Sequence, residues 1–91
     1  MKIIKNKDIE TYAKSYALRM FNDFNNRPEY QGNEFDWKNF PYTVKRLAEV
    51  DMFMSFSIHI YKEKTQDKIK EKAGLIAYEE VMKLCKENNK F

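Results

Sequence analysis

Three stretches of the chain carry apolar residues at steps of three and four, the spacing that places side chains on one face of an α-helix. The clearest covers residues 8–25, where Tyr, Ala, Met and Phe recur at this spacing and charged residues fall mainly on the other side. Pro41 and Thr65 are suited to helix N-termini and precede two further stretches of this kind. The pattern predicts helices over about 8–25, 41–63 and 66–88.

The segment from Val44 to Tyr61 is the most apolar part of the chain, and residues 52–60 contain no Asp, Glu, Lys or Arg. A helix that is apolar on all sides is normally buried, so we expect this segment to be the central helix. Its first apolar stripe, expected to face the core, consists of Val44, Leu47, Val50, Met54, Ile58 and Tyr61. Its second stripe, the predicted oligomer interface, contains Met52, Phe53, Phe56 and Ile60.

The same letters also fit a β-strand at 52–61, because apolar and other residues alternate there with a period of two. That alternative makes the fold α+β. We favour a helix, because a lone strand has only the first five residues to pair with, and two-stranded ribbons are marginally stable. The predicted fold is therefore all-α, a small three-helix domain spanning residues 1–91.

Residues 26–40 show neither hydrophobic period and contain Pro28 and Gly32, which predicts a long loop. Two interpretations fit its aromatic residues. They either cover the helical core as a lid, since aromatic rings bury large areas, or they form a recognition surface, since Tyr and Trp are enriched at interfaces. The residues concerned are Tyr30, Phe35, Trp37 and Phe40.

Composition narrows the function classes. The 17 basic and 14 acidic residues largely alternate, so the net charge of +3 does not form the concentrated basic stripe typical of nucleic-acid-binding proteins. A single cysteine and an N-terminus without an apolar signal-peptide core predict a cytoplasmic chain. No apolar run reaches the length of about 18 residues needed to span a membrane. The abundance of Lys, Asn and Ile suggests an AT-rich genome, such as that of a low-GC bacterium or its mobile elements.

Candidate catalytic chemistry is sparse. Cys85 and His59 are the only residues of their types, and Cys85 belongs to an apolar helical arc, where a thiol normally acts as packing. A zinc site needs three or four ligands at organised spacing, and a phosphate-binding loop needs glycines where this chain has only Gly32 and Gly74. We therefore expect no enzymatic activity, no cofactor and no metal.

One alternative function rests on a partial resemblance. The segments TVKRLAEV and MSFSIHIY resemble the two helices of a helix-turn-helix over residues 43–64, with the turn near Asp51 to Phe53. The resemblance implies a DNA-binding regulator with contacts from Arg46, Lys62 and Lys64. The second helix, however, offers few base-reading side chains.

The preferred hypothesis is a non-catalytic protein–protein interaction module that forms a homodimer or binds another protein. It rests on surplus apolar surface in the second helix, on the aromatic loop and on the lack of a catalytic constellation. Small size and the compositional bias extend the hypothesis to a phage- or plasmid-type accessory protein that inhibits or regulates a host protein.

Overall fold

The computed structural model describes residues 4–30 and 35–91 and consists of three α-helices. They are α1 (Asn6–Asn25), α2 (Phe40–Ser55) and α3 (Glu63–Glu87), and single 3₁₀ turns lie at Pro28–Tyr30 and Ile58–Ile60. The all-α prediction is confirmed. The strand alternative is wrong, because residues 52–61 form the end of α2 and a 3₁₀ turn. Positions 31–34 of the predicted loop lie outside the described residues.

The longest helix, α3, packs along both of the others and is the centre of the fold. The expectation that the second helix is central is therefore wrong. Fully buried alanines lie on both helices of the α1–α3 contact, Ala13 and Ala17 on α1 and Ala73 and Ala77 on α3. Such short side chains let helix backbones approach closely, because interaxial distance depends on the side chains at the contact.

Helix α2 begins as predicted, with Asn39 before it and Pro41 in its first turn. It ends at Ser55, eight residues before the predicted end, because Phe56 adopts an extended backbone (φ −141°, ψ 152°). The following 3₁₀ turn places Ile58 in the core with no exposed surface. Apolar spacing alone does not reveal this break, since Ile58 is buried whether the chain continues as a helix or turns inward.

The side of α2 that faces the core is not the one that the first stripe predicts. The buried positions are Val44, Ala48 and Met52, each four residues apart and fully buried. By contrast, Val50 is 63% and Met54 is 86% exposed. This buried side of α2 includes Ala48, whose carbonyl accepts a hydrogen bond from α1.

Two tyrosines of α1 fix this orientation with hydrogen bonds. The Tyr12 hydroxyl donates to the backbone carbonyl of Ala48 at 2.7 Å. One helical turn further along α1, the Tyr16 hydroxyl donates to Asp51 Oδ2 at 2.7 Å. The Tyr12 ring also meets Phe56 edge-on, with ring centroids 5.6 Å apart. Polar contacts therefore set how α2 is rotated against α1.

The C-terminus of α3 closes with a Schellman motif. Asn89 has a left-handed backbone (φ 56°), and the Lys90 amide donates to the Cys85 carbonyl at 2.9 Å. This turn places the Lys90 ammonium 4.8 Å from the centroid of the Trp37 ring. The last residues are thus held against the segment that precedes α2.

Candidate functional site

The aromatic residues predicted for the 26–40 loop come together in one cluster with the end of α1. The Phe24 ring lies 5.2 Å from Tyr30, 5.7 Å from Phe35 and 4.9 Å from Phe40. Trp37 packs against Phe35 at 4.8 Å, and its indole N–H donates to the Tyr30 carbonyl at 3.0 Å. This arrangement is the one expected if the aromatic residues cover the helical core as a lid. Trp37 and Phe40 are buried and have little free surface for a partner.

The residues of the predicted oligomer interface are dispersed. Met52 is fully buried in the core and presents no surface to a second copy. Phe56 is half-buried against Tyr12. Phe53 and Ile60 are 46% and 38% exposed, but Phe53 lies on α2 and Ile60 lies in the 3₁₀ turn. Of the four, Phe53 alone is an exposed residue of α2.

The geometry of a helix-turn-helix is not formed. Helix α2 continues through residues 51–53, where the resemblance places the turn, and residues 56–62, expected within the recognition helix, connect α2 to α3. Arg46 lies in the middle of α2, whereas Lys62 and Lys64 lie at the start of α3. These positions differ from the ones that the resemblance implies, because no recognition helix is formed between them.

Cys85 and His59 are far apart. His59 precedes α3 and Cys85 occupies its last turn, and the 22 residues from Glu63 to Cys85 span roughly 33 Å of helix. Burial raises the pKa of the Cys85 thiol to about 11, so the reactive thiolate is scarce at neutral pH. Within residues 4–30 and 35–91, no group of three or more His, Cys, Asp or Glu side chains is arranged to hold a metal ion.

The surface feature with the most chemistry is a groove of about 430 Å³ between α2 and α3, which we call the α2–α3 groove. Tyr42, Arg46, Val50 and Phe53 form its α2 side, because they lie within about 80° of one another around the helix axis. This arc is on the side of α2 away from Ala48, where α1 binds. The complete lining is Tyr42, Lys45, Arg46, Glu49, Val50, Phe53 and Lys70.

Gly74 of α3 lets α2 come close beside the groove. A Cβ at this position would lie 2.8 Å from both Cγ and Oε2 of Glu49, so the Glu49 side chain occupies the space that a larger residue would fill. The helix next to this glycine is α2, which contacts it through the Glu49 side chain. Lys45 Nζ lies 3.5 Å from Glu49 Oε2 and partly neutralises the only acidic side chain of the lining.

The aromatic rings of the groove contact an aromatic ring and a lysine of α3. Tyr42 meets Tyr78 edge-on with centroids 5.9 Å apart. The Lys70 ammonium lies 4.9 Å from the centroid of the Phe53 ring and 3.9 Å from Asp67, which does not line the groove. These contacts hold the rings in place while leaving Tyr42 59% and Phe53 46% exposed.

The groove carries a positive charge. Its lining contains three basic side chains and one acidic side chain, a net charge of two positive. Arg46 has no ion-pair partner among the residues that the structure describes. The groove can therefore hold apolar side chains between Tyr42, Val50 and Phe53 and an anionic group near Arg46.

Sequence reasoning identified Phe53 and Arg46 as site residues but missed Tyr42 and Val50. Val50 was assigned to the core-facing stripe, although it is exposed. The available signal was Ala48, because a small residue flanked four positions away by Val44 and Met52 marks a close helix contact and places Val50 on the opposite side.

Comparison of the chain with protein-family models, with curated proteins and with solved structures gives no match. Over the described part of the chain, no helix combines the length and the apolar character required to cross a bilayer. The function is therefore argued from the residues of this chain alone.

Proposed function

We propose that the chain is a non-catalytic protein-binding module that uses the exposed side of α2. One observation carries the proposal. Five of the nine large hydrophobic residues that are exposed in the described chain lie on this one helix of 16 residues. We call them the outer face of α2; they are Tyr42, Leu47, Val50, Phe53 and Met54. Contiguous apolar surface of this kind marks interaction sites in soluble domains.

The chemistry of this surface favours a protein over a nucleic acid. Aromatic and aliphatic side chains outnumber the cations on α2, and the exposed cation among them is the single Arg46. Nucleic-acid sites require several cations to neutralise phosphates. Protein interfaces instead combine an apolar centre with Tyr, Phe, Met and Arg, the composition found here.

Site-specific photocrosslinking tests the proposal. A photoreactive amino acid replaces Val50 in the native host, and a matched variant carries it at Leu18, an exposed apolar position of α1. We expect a discrete crosslinked species from position 50 that is absent from position 18. Equal products from both positions, or none from position 50, would contradict the proposal.

The finer hypotheses are forms of the same proposal. A crosslinked product of twice the chain mass identifies a homodimer, whereas a product with a host protein identifies a heterologous partner. The hypothesis that the chain is a phage- or plasmid-type inhibitor belongs to the second case and rests on composition alone.

A further inference from the structure

We infer that the occupant of the α2–α3 groove is an acidic amphipathic helix of a partner protein, with apolar side chains between Tyr42, Val50 and Phe53 and carboxylates at Arg46 and Lys70. The inference rests on the proposed function and adds the chemistry of the partner. It follows from the shape of the groove, from its charge and from what that charge does to self-association.

The shape fits a helix. The α2 side of the groove extends from Tyr42 to Phe53, eleven residues or roughly 16 Å of helix axis, which corresponds to three helical turns. Helix α1 covers the other side of α2 through its bonds to Ala48 and Asp51. A helix in the groove therefore completes a four-helix arrangement, and its apolar stripe matches the exposed arc of α2.

The charge selects an acidic occupant. Arg46 has no ion-pair partner among the described residues, whereas Lys70, on the opposite wall of the groove, forms an ion pair with the exposed Asp67 at 3.9 Å. Lys45 already pairs with Glu49. Arg46 therefore remains to receive a carboxylate, and Lys70 can exchange its exposed pair with Asp67, which contributes little, for a second carboxylate on the other side of the apolar stripe. Charges placed in this way steer association and fix orientation.

The same charges disfavour a second copy of the chain as the occupant. In a two-fold symmetric dimer, each surface meets itself. Both copies would then bring the same excess of positive charge to one interface, and like charges placed together across an interface are unfavourable. An acidic partner relieves this repulsion.

The test is a selection from a displayed library of helical peptides. Each peptide has fixed apolar residues at i, i+3, i+4 and i+7, and the flanking positions are randomised among Asp, Glu, Lys, Arg and Ser. The wild-type protein is the target. We expect Asp and Glu to be enriched at the flanking positions.

Binding of the selected peptides is then measured by fluorescence anisotropy on matched variants. Arg46→Glu combined with Lys70→Glu should weaken binding at least about tenfold, which corresponds to about 1.4 kcal/mol. Lys72→Glu combined with Lys83→Glu is the control, since it makes the same change of charge at exposed positions three turns apart on α3. Both positions lie roughly 140–160° around the α3 axis from Lys70, so they do not face the groove. Thermal melts confirm that each variant is folded.

The outcomes separate the inference from the proposed function. The inference is overturned if the selected peptides show no enrichment of Asp and Glu, or if they bind equally to the two charge-reversed variants. In either case, peptides that no longer bind to the Val50→Asp variant would still support the proposed function. Failure to enrich any peptide overturns the inference as well. Light scattering that shows a wild-type dimer dissociated by Val50→Asp, but not by Leu18→Asp, identifies a second copy as the occupant and also overturns it.

Discussion

The bond between Tyr16 and Asp51 gives the sharpest test of how the helices are held together. Tyr16 is 5% exposed, and its hydroxyl donates to the Asp51 carboxylate at 2.7 Å. Burial, with the neighbouring carboxylate, raises the pKa of Tyr16, so the hydroxyl keeps its proton and remains a donor throughout the neutral range. The variant Tyr16→Phe removes the donor and keeps the ring.

The magnitude follows from the acceptor. A hydrogen bond to a charged group contributes about 1.5–3 kcal/mol, whereas one to a neutral carbonyl contributes about 0.5–1.5 kcal/mol. We therefore expect Tyr16→Phe to lower the free energy of unfolding by about 1.5–3 kcal/mol. Tyr12→Phe, which removes the bond to the Ala48 carbonyl, should cost about half as much. For a domain of this size the larger loss lowers Tm by roughly 6–24 °C.

Urea titrations of a double-mutant cycle provide the assay. The cycle contains the wild type, Tyr16→Phe, Asp51→Ala and the double variant, and we expect a coupling energy of at least about 1 kcal/mol. A coupling energy near zero, or a cost for Tyr16→Phe no greater than that for Tyr12→Phe, would refute the conclusion that this ion–hydroxyl contact fixes α2 against α1.

Three further predictions concern other parts of the fold. Folding raises the pKa of the Cys85 thiol from about 9 to about 11, so its contribution to stability is complete below pH 9 and declines as the pH rises towards 11. Between pH 8 and 10, urea titrations should show that the free energy of unfolding of the wild type falls by about 1 kcal/mol more than that of Cys85→Ala. Equal decreases would exclude this thiol as the cause. Gly74→Ala should leave stability nearly unchanged in the wild type, because the new Cβ displaces Glu49, but should add about 1 kcal/mol in a Glu49→Ala background; equal effects in the two backgrounds would disprove this account. Lys90→Ala should expose one face of the ring of Trp37, the only tryptophan of the chain. The fluorescence emission of Trp37 should therefore shift to longer wavelength, and its quenching by acrylamide should increase. Unchanged fluorescence would show that the lysine does not cover the ring.

The fold was largely predictable from the sequence where the periodic pattern is long. Helix α1 was expected at 8–25 and is found at Asn6–Asn25, and α3 was expected at 66–88 and is found at Glu63–Glu87. The end of α2 was not predictable from apolar spacing, because no Gly or Pro lies between Ser55 and Tyr61 to mark the break.

The candidate site was only partly predictable, because the rotation of α2 depends on its contacts with the other two helices. Neighbouring helical residues point about 100° apart, so a small change in the assumed rotation exchanges buried and exposed positions. Met52 was assigned to the interface and Val50 to the core, but Met52 is fully buried and Val50 is exposed. Contacts with α3 and hydrogen bonds from Tyr12 and Tyr16 of α1 hold this rotation, and the two hydrogen bonds join residues about 35 positions apart in the chain.

The connections between the helices also bear on the order in which the protein folds. Only residues 56–62 join α2 to α3, whereas α1 reaches α3 across the whole of α2 and both connecting segments. Because the entropy cost of closing a loop grows with its length, the α2–α3 hairpin is the unit that forms at the lower cost. Loop-closure entropy thus favours an order in which α1 docks onto a hairpin that already contains both walls of the groove, because all the lining residues lie on α2 and α3.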